Sequence, residues 1–159
     1  PDLRVASCQF PVTDDIERNA RYIRRYLRKA AEAGAHLLHT SETSYLATEG
    51  SMANQWDQLR YETNRIRDLS SELGLWLVLG SSHFLSEKTP PTNCLYLIDP
   101  KGRIVDRYDK CMCTTGDQRV YSAGNRLVVK TINGIRIGLA ICYDVCYPQI
   151  YAAYREKGV

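Results

Sequence analysis

The chain has 159 residues, of which 44% are hydrophobic and 25% are charged, and its formal net charge is +3. These values are typical of one globular domain with a real core, and the small charge gives no reason to expect a nucleic-acid partner. We expect no membrane span and no secretory signal, because no apolar run approaches about 18 residues and the start lacks a basic segment followed by an apolar block. The six cysteines therefore predict a reduced, cytoplasmic protein rather than a disulfide framework.

The hydrophobic pattern predicts alternating strands and helices over the first half of the chain. Apolar residues at helical spacing indicate two helices, and each of them stops at a glycine, Gly34 or Gly74. Short apolar runs between the helices indicate strands. The predicted elements in this half are strands at 3–10, 36–40 and 75–80 and helices at 16–31 and 52–73.

The second half is predicted to contain two hairpins and a final helix. Strands at 93–98 and 103–108 flank a Pro-Lys-Gly turn, and strands at 126–132 and 135–141 flank Asn133-Gly134. A helix follows at 147–157. This order predicts an α/β fold, a mixed sheet with helices packed on it. We expect a single domain over 1–159 that is incomplete at its C-terminus, because the last residues resemble a helix end that would be followed by another strand.

Three strand ends carry side chains that are capable of chemistry. An apolar run leads directly into Cys142-Tyr143-Asp144, which predicts a strand that turns sharply into a helix with a thiol at the corner. A helix N-terminus at that corner would favour the thiolate. Glu42 follows the second strand, and Lys110 ends the strand that begins at 103. A cysteine nucleophile needs a base and oxyanion donors, and these two residues are candidates for both.

Each of these residues also has an ordinary interpretation. Taken alone, Glu42 could be a solvated loop carboxylate, Lys110 a strand-end lysine and Cys142 a buried core cysteine. A zinc site is the first alternative for the cysteines, although their spacing is poor for zinc; its four thiolates would be Cys111, Cys113, Cys142 and Cys146. His36 and His39 are three apart on a short predicted strand and would point to opposite faces. We therefore expect no metal and no cofactor.

Together, the Glu42, Tyr108-x-Lys110 and Cys142-Tyr-Asp blocks, in this order, resemble the nitrilase superfamily of carbon–nitrogen hydrolases. The resemblance implies an α-β-β-α sandwich, apparently lacking its C-terminal part, and a homodimer or higher oligomer. It implies that Glu42 is the general base, Lys110 the oxyanion-stabilising cation and Cys142 the nucleophile. It also implies an oxyanion donor at the backbone N–H of Tyr143 and an assisting carboxylate at Asp117.

The implied function is hydrolysis of a linear amide or an N-carbamoyl substrate through a cysteine thioester. Tyr143-Asp144 after the nucleophile is similar to the amidase and carbamoylase branches, so nitriles are less expected. The chain also departs from the family pattern: Ser41 stands in place of a proline, and Asp117 in place of a longer glutamate. Cys146 and Gln149 replace an arginine and a glutamate. These departures leave an alternative open, a non-catalytic nitrilase-like subunit or fragment that acts in binding or assembly.

Overall fold

A computed structural model describes residues 1–43 and 52–159, and within them it contains seven strands and three α-helices. In chain order these are β1 (Val5–Cys8), α1 (Ile16–Glu32), β2 (Leu37–Thr40), α2 (Met52–Glu72), β3 (Trp76–His83), β4 (Thr92–Ile98), β5 (Ile104–Asp109), β6 (Val129–Ile132), β7 (Ile135–Gly138) and α3 (Pro148–Glu156). Two short 3₁₀ turns, Asp117–Arg119 and Cys142–Cys146, complete the list. The predicted order of elements is confirmed.

The first five strands form one sheet in the order β1-β2-β3-β4-β5. The pairs among β1, β2 and β3 are parallel, and β4 and β5 add to them antiparallel. Helices α1 and α2 cover one face of this sheet, where Ile23, Leu27 and Ile66 are completely buried. The central strand β3 is apolar on both faces because both of its faces are covered.

The β6–β7 hairpin covers the other face of the five-stranded sheet. Val128, Ile132 and Ile141 pack there against Leu97 and Tyr108. On the far side of the hairpin, the ring of Tyr154 in α3 packs on Gly138, where a Cβ atom would lie only 2.7 Å from the ring. The layers therefore run α-β-β-α, as the resemblance implied.

The hairpin strands are shorter than predicted, because the Tyr154 hydroxyl bonds their backbone. It accepts hydrogen bonds from the N–H groups of Val128 at 3.3 Å and Leu139 at 3.2 Å, and it donates to the Leu139 carbonyl. These backbone groups are thus paired with a helix side chain rather than with a neighbouring strand. β6 consequently begins at Val129, and β7 ends at Gly138.

Three other expectations can be compared with this fold. His39 lies on β2, whereas His36 lies before it and accepts a hydrogen bond from the Arg4 N–H at 3.0 Å, so the prediction that both lie on one strand is wrong. Within residues 1–43 and 52–159, no three His, Cys, Asp or Glu side chains are grouped so that they could hold a metal ion. In the same residues, no helix is long and apolar enough to cross a membrane.

Candidate active site

Glu42 reaches the middle of the sheet because the chain after β2 crosses close over β3. The Thr40 hydroxyl accepts a hydrogen bond from the Gly80 N–H at 2.8 Å. A Cβ atom at Gly80 would lie 2.1 Å from the Ser41 carbonyl oxygen, so only glycine permits this crossing. The Glu42 carboxylate then lies against β4, where the Asn93 amide donates to its Oε1 at 2.8 Å.

Lys110 follows β5 and is almost completely buried between two carboxylates. Its Nζ lies 2.8 Å from Glu42 Oε1 and 2.9 Å from Asp117 Oδ2, so the shorter aspartate does reach the lysine. Burial would lower the pKa of Lys110, but the hydrogen bonds to Glu42 and Asp117 outweigh it and the pKa is raised. Lys110 is therefore a fixed cation at physiological pH.

Asp117 is held in place by a loop that folds back on the end of β5. The Thr114 N–H and hydroxyl each donate to Asp117 Oδ2 at 2.9 Å. Gly124 closes the loop by donating to the Lys110 carbonyl at 2.8 Å, and a Cβ there would lie 2.2 Å from the Asp109 carbonyl oxygen. Burial opposes ionisation of Asp117, but Lys110 and Thr114 more than offset it, so the pKa of Asp117 is lowered.

Cys142 lies at a strained corner just after the β7 segment, with a φ of 44° that non-glycine residues rarely adopt. The residue is exposed, and its thiol lies close enough to the Glu42 carboxylate to interact with it. Partial burial and the contact with Glu42 raise the pKa of Cys142, while Lys110 and the Tyr143 N–H partly oppose the rise. The expectation of a favoured thiolate is wrong, because burial and Glu42 outweigh the favourable Lys110 and Tyr143 N–H, and a 3₁₀ turn separates the thiol from the start of α3 at Pro148.

A completely buried carboxylate, Asp144, ties this corner to the strand that ends in Lys110. Asp144 Oδ2 accepts hydrogen bonds from the Tyr108 hydroxyl at 2.7 Å and from the Ile141 N–H at 2.8 Å. Its Oδ1 accepts from the Met112 N–H at 2.8 Å. The nucleophile turn and the end of β5 are thus fixed to one group.

Comparison with known proteins identifies the family. A model of the carbon–nitrogen hydrolase family matches residues 4–159. This chain belongs to the carbon–nitrogen hydrolases. It is 27% identical over 175 residues to the deaminated glutathione amidase of Yersinia enterocolitica, covering 99% of this chain and 60% of that protein. It is 29% identical over 182 residues to the human deaminated glutathione amidase, covering 97% of this chain and 52% of that protein.

Solved structures share the fold of this carbon–nitrogen hydrolase chain. A variant of the amidase from Nesterenkonia sp. AN1, with the acetamide moiety of fluoroacetamide added covalently at its active-site cysteine, superposes with a TM-score of 0.82 at 22% identity, over 93% of this chain and 58% of that one. The glutamine-dependent NAD⁺ synthetase from Acinetobacter baumannii superposes with a TM-score of 0.81 at 18% identity, over 99% of this chain and 31% of that one. The chain spans between half and two thirds of the length of the two curated relatives. Membership of the nitrilase superfamily is confirmed.

Two polar residues of this hydrolase site, Asn93 and Asp144, were missed by the sequence reasoning. Asp144 had a signal, since it belongs to the Cys-Tyr-Asp block, but no role in holding the site was assigned to its carboxylate. Asn93 had a weaker signal, a polar residue near the start of a strand that is otherwise mostly apolar. Only the tertiary structure shows that its side chain meets Glu42.

Apart from Asp117, which contacts Lys110, the departures from the family pattern are exposed side chains or a backbone contact. Cys146 and Gln149 are both exposed, one in the 3₁₀ turn and the other in α3. Ser41 contributes its carbonyl to the close crossing at Gly80, which is a backbone contact. The departures therefore do not prevent Glu42, Lys110 and Cys142 from lying next to one another.

Proposed function

We propose that the protein hydrolyses the carbon–nitrogen bond of a linear amide through a thioester on Cys142. The observation that carries the proposal is the position of the Glu42 carboxylate, which bonds the buried Lys110 ammonium and lies beside the Cys142 thiol. A general base must lie within hydrogen-bond reach of the proton that it takes. Glu42 lies beside the nucleophile, where the base for the thiol proton is needed.

In the proposed first half-reaction, Cys142 Sγ attacks the carbonyl carbon of the amide while Glu42 takes the thiol proton. The raised pKa of the thiol fits this order, because the proton leaves during attack rather than before it. The tetrahedral intermediate then collapses, and Glu42 returns the proton to the departing nitrogen. In the second half-reaction, water attacks the thioester with Glu42 as base, which releases the acid and restores the thiol.

Two donors are available for the oxyanion of both intermediates. The Lys110 ammonium has three N–H bonds, and its two carboxylate partners use two of them. The third can point toward the substrate oxygen. The Tyr143 N–H already lies beside the Cys142 sulfur, where the oxyanion would develop. One such donor is worth about 10²–10³-fold in rate.

Relatives and structural neighbours support an amide as the substrate class. Two curated relatives are named deaminated glutathione amidases, and a variant of the Nesterenkonia amidase was solved with butyramide. An N-carbamoyl compound is the second candidate, because its scissile group is also a carbonyl bonded to nitrogen. Nitriles are less expected. The non-catalytic alternative is less favoured, because base, cation and thiol are all present and in contact.

The test is an ammonia-release assay of the full-length protein against butyramide, deaminated glutathione, an N-carbamoyl amino acid and a short nitrile. We expect turnover of at least one amide, and Cys142→Ala should lower kcat about 10⁴-fold or more. Cys146→Ala, four residues along the same turn, is the matched control and should keep the wild-type rate. Turnover by Cys142→Ala at the wild-type rate would exclude the proposed nucleophile.

The homodimer or higher oligomer and the cytoplasmic location stay predictions. Light scattering of the full-length protein tests the first, and cell fractionation tests the second. A monomer in light scattering would contradict the predicted assembly without touching the proposed chemistry.

A further inference from the structure

Asn93 is a buried side chain on the face of β4 that points between the two sheets. It is 1% exposed and shares that face with Leu95 and Leu97, which belong to the core between the sheets. A carboxylate can only accept hydrogen bonds, so an amide next to Glu42 must present its nitrogen. The Nδ2-to-Oε1 distance of 2.8 Å fits this orientation.

This orientation leaves the other end of the amide unpaired among the described residues. Asn93 Oδ1 is buried there without a hydrogen-bond partner. A buried polar atom without a partner destabilises the folded state. Packing alone would therefore favour an apolar residue at this position. The hydrogen bond from Asn93 Nδ2 to Glu42 is the interaction that an apolar residue could not make.

Asn93 Nδ2 and Lys110 Nζ both bond the same carboxylate oxygen, Glu42 Oε1. Two donors on one oxygen restrict the rotation of the carboxylate beside the thiol. We propose that Asn93 is a positioning residue, which holds Glu42 in the orientation that contacts Cys142. This role rests on the proposed function, because it acts on the base of that reaction, but it can be measured without turnover.

The measurement is the pH dependence of Cys142 alkylation by iodoacetamide, followed by peptide mass mapping of the full-length protein in a Cys146→Ser background. Contact with Glu42 raises the pKa of Cys142, so a misplaced Glu42 should move the inflection to lower pH. We expect Asn93→Ala and Asn93→Leu to move it to lower pH, in the same direction as Glu42→Gln. Leucine fills the space of the asparagine side chain, whereas alanine leaves a cavity. A shift of the inflection in both variants would therefore be caused by the lost amide and not by the cavity.

Turnover gives a second readout. Both Asn93 variants should lower kcat about 10-fold and change KM less than about threefold, because the base is misplaced while the binding surface is kept. The control is Ser70→Ala, which removes a buried hydrogen bond to the Leu75 carbonyl at 2.8 Å, on α2 and away from Glu42. It should lower stability without moving either readout. An unmoved alkylation inflection in folded Asn93 variants would overturn the positioning role, even if kcat fell.

The outcomes separate this proposal from the proposed function. A shifted inflection in a protein that hydrolyses no amide would support the positioning of Glu42 and contradict the reaction. Cys142-dependent turnover, with the alkylation inflection of the Asn93 variants equal to that of the wild type, would support the reaction and contradict the positioning role.

If neither Asn93 variant folds, the side-chain amide of Asn93 can be observed by NMR in the wild-type protein. One of its protons should be shifted downfield and slow to exchange, and Glu42→Ala should remove both properties. Identical signals in the two proteins would overturn the proposal.

Discussion

The two sheets contribute opposite kinds of environment to the candidate site. The five-stranded sheet and the loop after β5 hold a cluster of charges, Glu42, Lys110 and Asp117. Lys110 is 2% exposed, and its Nζ lies 2.8 Å from Glu42 and 2.9 Å from Asp117. The β6–β7 layer carries Cys142, which is exposed and has a strained backbone. The lysine is therefore desolvated between two partly buried carboxylates, whereas the nucleophile is exposed.

This difference has a physical reason. Charges act strongly on a reacting group only where water does not screen them, and a buried cation is stable only with its partners in place. A nucleophile must instead reach a substrate, so its corner cannot be buried. The strained corner is held from behind by Asp144 and Tyr154, both of which are buried. We therefore expect substitutions in the Glu42–Lys110–Asp117 cluster to remove the charge arrangement. Substitutions around the Cys142 corner should instead misplace the thiol.

The largest effect is expected from Lys110→Met, which leaves two carboxylates next to each other without their cation. Breaking a buried ion pair by removing one partner costs about 3–5 kcal/mol of unfolding free energy. The lost oxyanion donor should lower kcat by about 10²–10³-fold. Urea unfolding and the amide assay measure the two effects. Lys101→Met, at an exposed hairpin position, is the control, and an equal loss of stability there would contradict the role of burial.

Gly80→Ala tests whether the crossing over β3 places Glu42. The added methyl would lie 2.1 Å from the Ser41 carbonyl oxygen, so the backbone must move away. We expect a loss of about 1–3 kcal/mol in unfolding free energy and reduced turnover through the displaced base. Gly116→Ala is the control, because the nearest heavy atom would be 3.6 Å from its Cβ. Wild-type turnover by Gly80→Ala would show that Glu42 does not depend on this crossing.

A pair of tyrosines on neighbouring strands separates support of the thiol corner from general stability. Tyr108→Phe removes the hydrogen bond to Asp144 and should cost about 1.5–3 kcal/mol, since the acceptor is charged. Tyr96→Phe removes the contact with His83 Nδ1 at 2.7 Å, on the helix-covered side of the sheet, and should cost about 0.5–1.5 kcal/mol. Only Tyr108→Phe should also lower kcat, by about 10-fold, in the amide assay. Equal effects on kcat would remove the distinction between the two faces.

The smallest effect concerns the pH dependence of stability. The pKa of Asp117 is lower in the folded protein than its ordinary value of 3.8. Its stabilising contribution is therefore complete above about pH 4 and is lost as the pH falls through the folded-state value. Asp117→Asn should make the acid decline of the unfolding free energy shallower, as measured by urea titrations between pH 2 and 6. A decline as steep as that of the wild type would mean that other carboxylates dominate it.

The sequence predicted the elements well where periodicity was strong. Helix α1 was expected at 16–31 and is found at Ile16–Glu32, since apolar residues at helical spacing must face one core. Boundaries failed where a distant side chain takes the backbone hydrogen bonds. The β6–β7 strands were predicted about three residues too long, because Tyr154, fifteen residues beyond Leu139, pairs their outer backbone groups.

The sequence predicted the three principal residues of the site but not Asn93 and Asp144, which hold them in place. Glu42, Lys110 and Cys142 were selected because each ends a predicted strand, and the structure brings them together. Their catalytic roles stay a proposal. The thiol was assigned the wrong pKa direction, because a local argument about a helix N-terminus ignored the carboxylate that tertiary folding places beside it.

By itself, the sequence determined the order of elements, the α/β class and the three reactive strand ends, because these depend on periodicity and on residue type over short spans. Only the tertiary structure decided which oxygen of Glu42 is held, that Asp117 reaches Lys110, and that Asn93 and Asp144 support the site. Those facts depend on contacts between residues 36 to 68 positions apart or on the path of a folded loop. A linear pattern cannot encode such distances, since they follow from how the two sheets pack.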